Sequence, residues 1–321
     1  MEKAFVLGAG LGTRLRPLTE RLPKPLVPVF HRPLIEYAFD HLRNVGVGAF
    51  VVNTHHCPDA YDVAFPDGDY EGCPITLRHE PILLETAGGI ANVADLFEDQ
   101  LREHGSFFVY NGDILTDLPL ENALSQHRSS DDAVTLILRS TGPAKHIEFD
   151  SSNGKASDIR NMLGTGGEGS HQFTGIYMVG QDFVSRLTPG KKESVIPIFL
   201  DFMREGRVGA VVEDEGIWCD LGARGPYLEA HRDLGNSAFP QYANNGDRVA
   251  FTRIDDEAQI DPTSVIDGSS IVGAGAVVGA GAKITESILW PRAKVAPGAN
   301  LNRCVVRDGE QATGELDSVD V

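Results

Sequence analysis

Gly8, Gly10 and Gly12 fall within five residues, directly after the apolar stretch Ala4 to Leu7. Thr13, Arg14 and Arg16 follow, and then Lys24 between Pro23 and Pro25. Glycine lets a backbone approach a ligand closely. N–H groups turned outward in such a loop form an anion-binding concavity. Arg14 and Lys24 add fixed positive charge beside it. The chemistry this predicts is capture of a nucleotide's phosphates, with Leu7, Gly8, Ala9, Gly10, Gly12, Thr13, Arg14 and Lys24 as the contacting residues. A dinucleotide fingerprint needs G-x-G-x-x-G with an acidic residue about 20 positions on. Here the glycines run G-x-G-x-G, and Lys24 lies near the acidic position. A P-loop needs G-K-[ST] after its last glycine, and Gly12-Thr13-Arg14 does not supply it.

Two carboxylates stand at strand ends. Ser106 to Tyr110 (SFFVY) reads as a buried strand ending in Asn111-Gly112-Asp113. Open α/β sheets bind ligands at the carboxyl ends of their strands, so Asp113 is placed for chemistry. Asp220 sits in Gly216-Ile217-Trp218-Cys219-Asp220-Leu221-Gly222. It has a second reading, as a helix N-cap. His55 and His56 are adjacent and point to different sides, so they read as a polar strand exit.

The formal net charge of -18 argues against a general polyanion binder, nucleic acid included. An acidic protein that binds phosphate must concentrate its cations, which is what Leu7 to Val29 does. Cys57, Cys73, Cys219 and Cys304 lack metal-type spacing. No apolar run approaches the ~18 residues of a membrane helix, and Met1-Glu2-Lys3 leads straight into a strand without a signal-peptide pattern. A cytoplasmic protein with reduced thiols and no membrane contact is the expectation.

With Gly10, Gly12, Thr13, Arg14, Pro17, Thr19, Pro23, Lys24 and Pro25 in view, the chain resembles the sugar-1-phosphate nucleotidyltransferases, whose signature runs approximately G-x-G-T-R-x-x-P-x-T-x-x-x-P-K-P. The resemblance implies an NTP and a sugar 1-phosphate as substrates and an NDP-sugar and pyrophosphate as products. It assigns Arg14, Lys24, Asp113 and Asp220 to catalysis, and Asp113 and Asp220 to the metal, where paired hard oxygen ligands beside phosphate suit Mg²⁺. It places a base-recognition loop at Glu80 to Thr86, with Glu80, Glu85 and Thr86 facing the nucleotide. An ionised Glu80 is acceptor-only; it can take guanine N1–H and N2–H₂ together, so GTP is favoured over UTP. The alternative is a solvated surface glutamate. Sugar contacts fall on Asn111, Gly112, Asn161, Thr174 and Gly175. The nearest subgroup resembles mannose-1-phosphate guanylyltransferases. Leu84-Glu85-Thr86-Ala87-Gly88-Gly89 is also similar to uridylyltransferases acting on N-acetylmuramate 1-phosphate. Two further readings are a nucleotide-sugar-binding regulatory subunit without turnover, and an acyltransferase. The first would show a broken signature, and the second a His on the tail; neither mark is present.

The elements that must position these residues alternate in the α/β manner. Strands are expected at Ala49 to Val52, Ile75 to His79 and Ala133 to Leu138. Helices are expected from Pro33 to Val45, from Thr86 to about Phe97 and from Val195 to Arg204. Asp150 to Ser170 reads as a hairpin or lid. Gly235 to Asp247 reads as a linker. Beyond it Ile260, Ile266, Val272, Val278 and Ile284 fall every six residues, continued by Trp290 and Ala296. A second register, Val265, Ile271, Val277, Leu289, Val295 and Leu301, lies one residue earlier. Such hexads mark a β-helix, resembling the left-handed tails of several sugar nucleotidyltransferases, with roughly two to three coils. The expected fold is a Rossmann-like mixed-sheet catalytic domain at 1–235, then a linker and short left-handed parallel β-helix at 236–321. Open coil ends invite pairing, so a homo-oligomer is expected, with the tail serving assembly or regulation.

Overall fold

The computed structural model describes residues 1–234 and 252–321. The expected linker, Gly235 to Asp247, and the expected boundary at 235/236 lie outside the described residues. Two compact units emerge. One holds residues 1–10 and 38–218, the other residues 11–37 and 219–321.

The first unit is built on a ten-stranded sheet. Its strands are β1 (Glu2–Leu7), β2 (Val47–Thr54), β3 (Asp69–Tyr70), β4 (Cys73–His79), β5 (Ser106–Asn111), β6 (Val134–Arg139), β7 (Lys145–Asp150), β8 (Lys155–Ile159), β9 (His171–Gly180) and β10 (Val208–Val212). Their order is β7-β8-β10-β6-β9-β5-β1-β2-β4-β3. β1 lies between β2 and β5 and is parallel to both. These strands read as unbroken apolar runs because both faces are covered; Ala4, Phe5, Val6, Phe107, Phe108, Val109 and Tyr110 are all buried. β9 runs antiparallel to β5 and β6, which makes the sheet mixed as expected.

Successive connections leave β1 to opposite sides, so its carboxyl end is a switch point of the kind where such sheets bind ligands. The helix Val195–Arg204 starts at Ser194, whose side chain accepts from Ile196 N–H, and buries Ile198, Phe199, Phe202 and Met203. The expected helix start at Pro33 moves by one residue. Arg32–Pro33 pairs with Pro28–Val29, and the helix runs Leu34–Arg43. The expected hairpin is real in part: β7 and β8 pair antiparallel.

The second unit contains the expected β-helix. Its strands stack in parallel on three faces of four, four and three strands, more coils than the hexads implied. The inward row is Val278, Ile284, Leu289, Val295, Leu301, Val306 and Ala312, all buried. This row begins in the first sequence register and continues in the second. Val265 pairs with Lys283, whereas Ile271 pairs with Ile288, so one turn near Ser287 is a residue shorter. Trp290 and Ala296, which continue the first register in the sequence, therefore fall outside the inward row. On the three-stranded face even the outer residues Ile271, Ile288 and Val305 are buried. The helix Arg224–Leu234 lies against this side: Leu228 and Arg232 line a small cleft with Ser269, Ile288 and Arg303.

Candidate active site

In the first unit the carboxyl ends of β1, β2 and β4 carry a connected set of polar groups. Gly8 N–H donates to Asn53 Oδ1 at 2.8 Å, Asn53 Nδ2 donates to Glu80 Oε1 at 2.6 Å, and Leu84 N–H donates to Glu80 Oε2 at 2.9 Å. Tyr61 Oη donates to Gly8 O at 3.0 Å. Glu80 is 0% exposed. The alternative of a solvated surface glutamate is corrected here. Each Glu80 oxygen already accepts a bond from the protein, as a buried carboxylate requires. Gly8 is held in the same network. Its N–H is committed to Asn53, and a Cβ on it would lie 2.6 Å from Asn53 O and 2.6 Å from Tyr61 Oη. Gly8 is there for close packing. Gly10 is exposed, with open space where a Cβ would be.

The Leu84-Glu85-Thr86-Ala87-Gly88-Gly89 stretch opens the helix Glu85–Val93. A Cβ on Gly89 would sit 2.9 Å from Asn53 Nδ2 and 3.1 Å from Glu80 Oε1, and one on Gly88 would meet Lys191 O at 2.3 Å. The glycine pair thus makes room for the Asn53–Glu80 bond and for the segment crossing the helix. Thr86 Oγ1 accepts from Val195 N–H at 2.9 Å. Glu85 faces Lys192 at 3.7 Å and remains half-exposed.

Asp113 follows β5, and Gly112 N–H donates to Leu7 O at 3.0 Å. This fixes the turn against the end of β1, where Leu7 is paired with Asn111. Burial, and secondarily the charge of Asp113, push the Tyr61 hydroxyl above the usual tyrosine range. Asn111 meets Gly175, whose absent Cβ would lie 2.7 Å from Asn111 Nδ2. Thr174 is buried; its hydroxyl donates to Ile137 O at 2.8 Å, and its carbonyl accepts from Trp218 Nε1 at 2.8 Å. Asn161 Oδ1 accepts from Gly166 N–H, so this side chain closes its own turn.

In the second unit the charged residues of the signature converge. Lys24 is 5% exposed, and its Nζ lies 3.2 Å from Asp220 Oδ1. Arg14 Nη2 lies 3.8 Å from Asp220 Oδ2, with the arginine side chain 71% exposed. Gly222 completes the group, since a Cβ there would be 2.6 Å from Arg14 Nη2 and 2.8 Å from Asp220 Oδ1. Gly12 has φ +58, the left-handed region that favours glycine. It opens the turn Thr13–Leu15, and Thr19 Oγ1 donates to Gly12 O at 2.7 Å. Sequence reasoning named the ions but missed Asn53, Tyr61 and Gly222; the Trp-Cys-Asp-Leu-Gly run was the available signal for Gly222.

All four cysteines are free thiols. No helix among the described residues is long and apolar enough to cross a membrane. No group of three or more His, Cys, Asp and Glu among the described residues could hold a metal by itself.

A family model described as nucleotidyl transferase matches residues 3–237, which leaves the β-helix outside the match. The chain is 32% identical over 222 residues to an N-acetylmuramate alpha-1-phosphate uridylyltransferase of Neisseria meningitidis, covering 68% of this chain and 93% of that protein. It is 29% identical over 249 residues to a mannose-1-phosphate guanylyltransferase of Mycobacterium tuberculosis, covering 76% and 68%. Its fold is similar to that of HddC from Yersinia pseudotuberculosis complexed with GMP-PN, with a TM-score of 0.57 and 21% identity over 72% of this chain and 98% of that one.

Proposed function

The chain belongs to the nucleotidyl transferase family, and from that premise we propose how it works. Its reaction class is nucleotidyl transfer from an NTP to a sugar 1-phosphate. Guanylyl transfer to mannose 1-phosphate is the favoured pair, in keeping with the guanylyltransferases among its relatives. Uridylyl transfer to N-acetylmuramate 1-phosphate is the second reading, favoured by the 32% identity across most of that relative. The observation that carries the reading is the Arg14–Asp220–Lys24 group.

An oxygen of the sugar phosphate attacks the α-phosphorus in line. A new P–O bond forms there, the bond to the β-phosphate oxygen breaks, and pyrophosphate leaves with the electron pair. No protein nucleophile is needed; positioning and electrostatics carry such chemistry. Lys24, held almost out of water, neutralises charge at the α-phosphate. Arg14, exposed, holds the departing pyrophosphate. Both pair with Asp220 in the ligand-free protein, so arriving phosphates take the cations over and leave the carboxylate available.

Members of the family generally use a divalent metal; Mg²⁺ is our assignment, with Asp113 and Asp220 as its carboxylates. The donors fit in kind, being hard oxygens, and Asp220 is 43% exposed and open to a ligand. The metal when bound neutralises phosphate charge as a Lewis acid. A matrix of NTPs against sugar 1-phosphates, scored by pyrophosphate release, tests the reading. GTP with mannose 1-phosphate should give the highest kcat/KM, and a preference for UTP would replace that pair with the second reading.

A further inference from the structure

Residues 11–37 lie in one compact unit with the β-helix, and the contacts between them reach the phosphate-binding loop. Arg307, after the strand Val305–Val306, sends Nη1 to Pro17 O at 3.2 Å and to Glu20 Oε2 at 3.3 Å, while its Nε donates to Val321 O at 3.0 Å. Pro17 and Glu20 belong to the turn that contains Arg14. That turn is folded on itself by Leu15 N–H to Gly12 O, Leu18 N–H to Leu15 O and Glu20 N–H to Pro17 O. Arg21 reaches Glu310 of the same coil at 3.4 Å. A second strut holds the segment after Asp220: Arg224 opens its helix and pairs with the buried Asp320 at 2.7 Å, and also donates to Arg303 O. A third is buried. Trp290 Nε1 donates to Tyr227 Oη at 3.0 Å, which donates to Pro28 O at 2.6 Å.

From these struts we infer that the last coil of the β-helix is part of the nucleotide-binding apparatus, with Arg307 as a positioning residue for the Arg14 turn. The inference rests on the roles proposed for Arg14 and Lys24. It departs from the expectation of a tail that serves only assembly or regulation. The physical reason is that, among the described residues, the Arg14 turn has no sheet ladder to hold it. Its own bonds close it, and a guanidinium fixed to Val321 O and to the loop at once ties it to the β-helix. A misplacement of about 1 Å in such a group costs on the order of a hundredfold in rate, so a loosened tether has a measurable cost.

The test combines hydrogen exchange of the ligand-free protein with steady-state kinetics. Arg307→Ala should speed amide exchange across residues 13–20 and lower kcat/KM for the NTP roughly tenfold, within the range that misplacement allows. KM for the sugar 1-phosphate should stay within about twofold, and Arg307→Lys should restore part of the loss, since one ammonium can serve some of the three acceptors. Arg292→Ala is the control: Arg292 pairs with Asp308 within the β-helix, and its loss should leave both readouts unchanged. Unchanged exchange at 13–20 in Arg307→Ala overturns the inference, as does equal damage from Arg292→Ala. Should Arg307→Ala fail to fold, Arg307→Lys decides by the same exchange readout. The exchange arm needs no substrate, so faster exchange in a protein that turns over no sugar 1-phosphate would sink the proposed reaction and leave the positioning role standing.

Discussion

The two compact units treat polar residues in opposite ways. In the sheet unit Asn53, Glu80, Tyr61 and Thr174 are buried and bonded to the protein itself. In the β-helix unit Arg14 and Asp220 are substantially exposed, and Lys24 is buried but aimed at the open carboxylate. The first arrangement shapes a surface and rejects change, because each group there leaves a partner unpaired when removed. The second keeps charge at the surface, where the proposed function has a ligand take it up. On the proposed roles, the sheet unit contributes shape and Asp113, while the β-helix unit contributes the cations and Asp220.

The largest expected effect belongs to the carboxylates proposed for the metal. Asp113→Asn and Asp220→Asn should each cut turnover about a thousandfold or more, the scale of losing a charge-stabilising group. Pyrophosphate release measures it, and near-native turnover in either variant would remove that residue from the site. Next, Glu80→Ala should destabilise the fold by about 3 kcal/mol, since it strands both Asn53 Nδ2 and the Leu84 N–H in a buried place. Urea melts check this, and an unchanged midpoint would mean the network has no structural weight.

Acid sharpens the comparison from another side, because both units bury neutral histidines. Burial lowers His41 from 6.5 to about 4 in the sheet unit, where it lies between Tyr110 Oη and Leu118 O. Burial also lowers His231 to about 4 in the other, where it accepts from Phe30 N–H and donates to Tyr227 O. The unfolded chain takes up these protons below about 6.5, while the folded protein refuses them until about 4. Stability is therefore complete above that upper value and is lost as pH falls through the window, at about 1.4 kcal/mol per pH unit for each histidine. Melting temperatures between pH 8 and 5 should fall on the acid side; a flat profile would contradict the burial argument. The smallest effect is on stability at Arg14. Its pair with Asp220 is exposed, and exposed pairs are worth about 0–1 kcal/mol. Arg14→Ala should melt with the native protein while losing kcat/KM, and a large drop in melting temperature would make it a structural residue.

Much of this was legible in the chain. The Gly-Thr-Arg and Pro-Lys-Pro runs announced the cations, since few other demands explain them in so acidic a protein. The hexads announced the β-helix, although the one-residue shortening near Ser287 hid which register turns inward; both registers are apolar on the three-stranded face. Glu80 was not legible. Its spacing from Thr86 fits a binding loop, and only the fold shows Asn53 and the Leu84 N–H converging on it. The struts from Arg307, Arg224 and Trp290 were equally hidden, because they join residues almost 300 positions apart in the extreme case.

One side-by-side measurement tests the division of labour most directly: kcat/KM and melting temperature for Lys24→Met and Glu80→Gln. Lys24→Met keeps the buried stem and removes the charge, so kcat/KM should fall about a thousandfold with little change in melting. Glu80→Gln keeps the shape but sets an amide NH₂ against donors, and Asn53 cannot turn over to relieve it because its Oδ1 holds Gly8 N–H. That variant should lose about 1–3 kcal/mol of stability and stay near native in kcat/KM while folded. The reverse pattern, a stable Glu80→Gln with ruined catalysis beside an active Lys24→Met, would contradict the account.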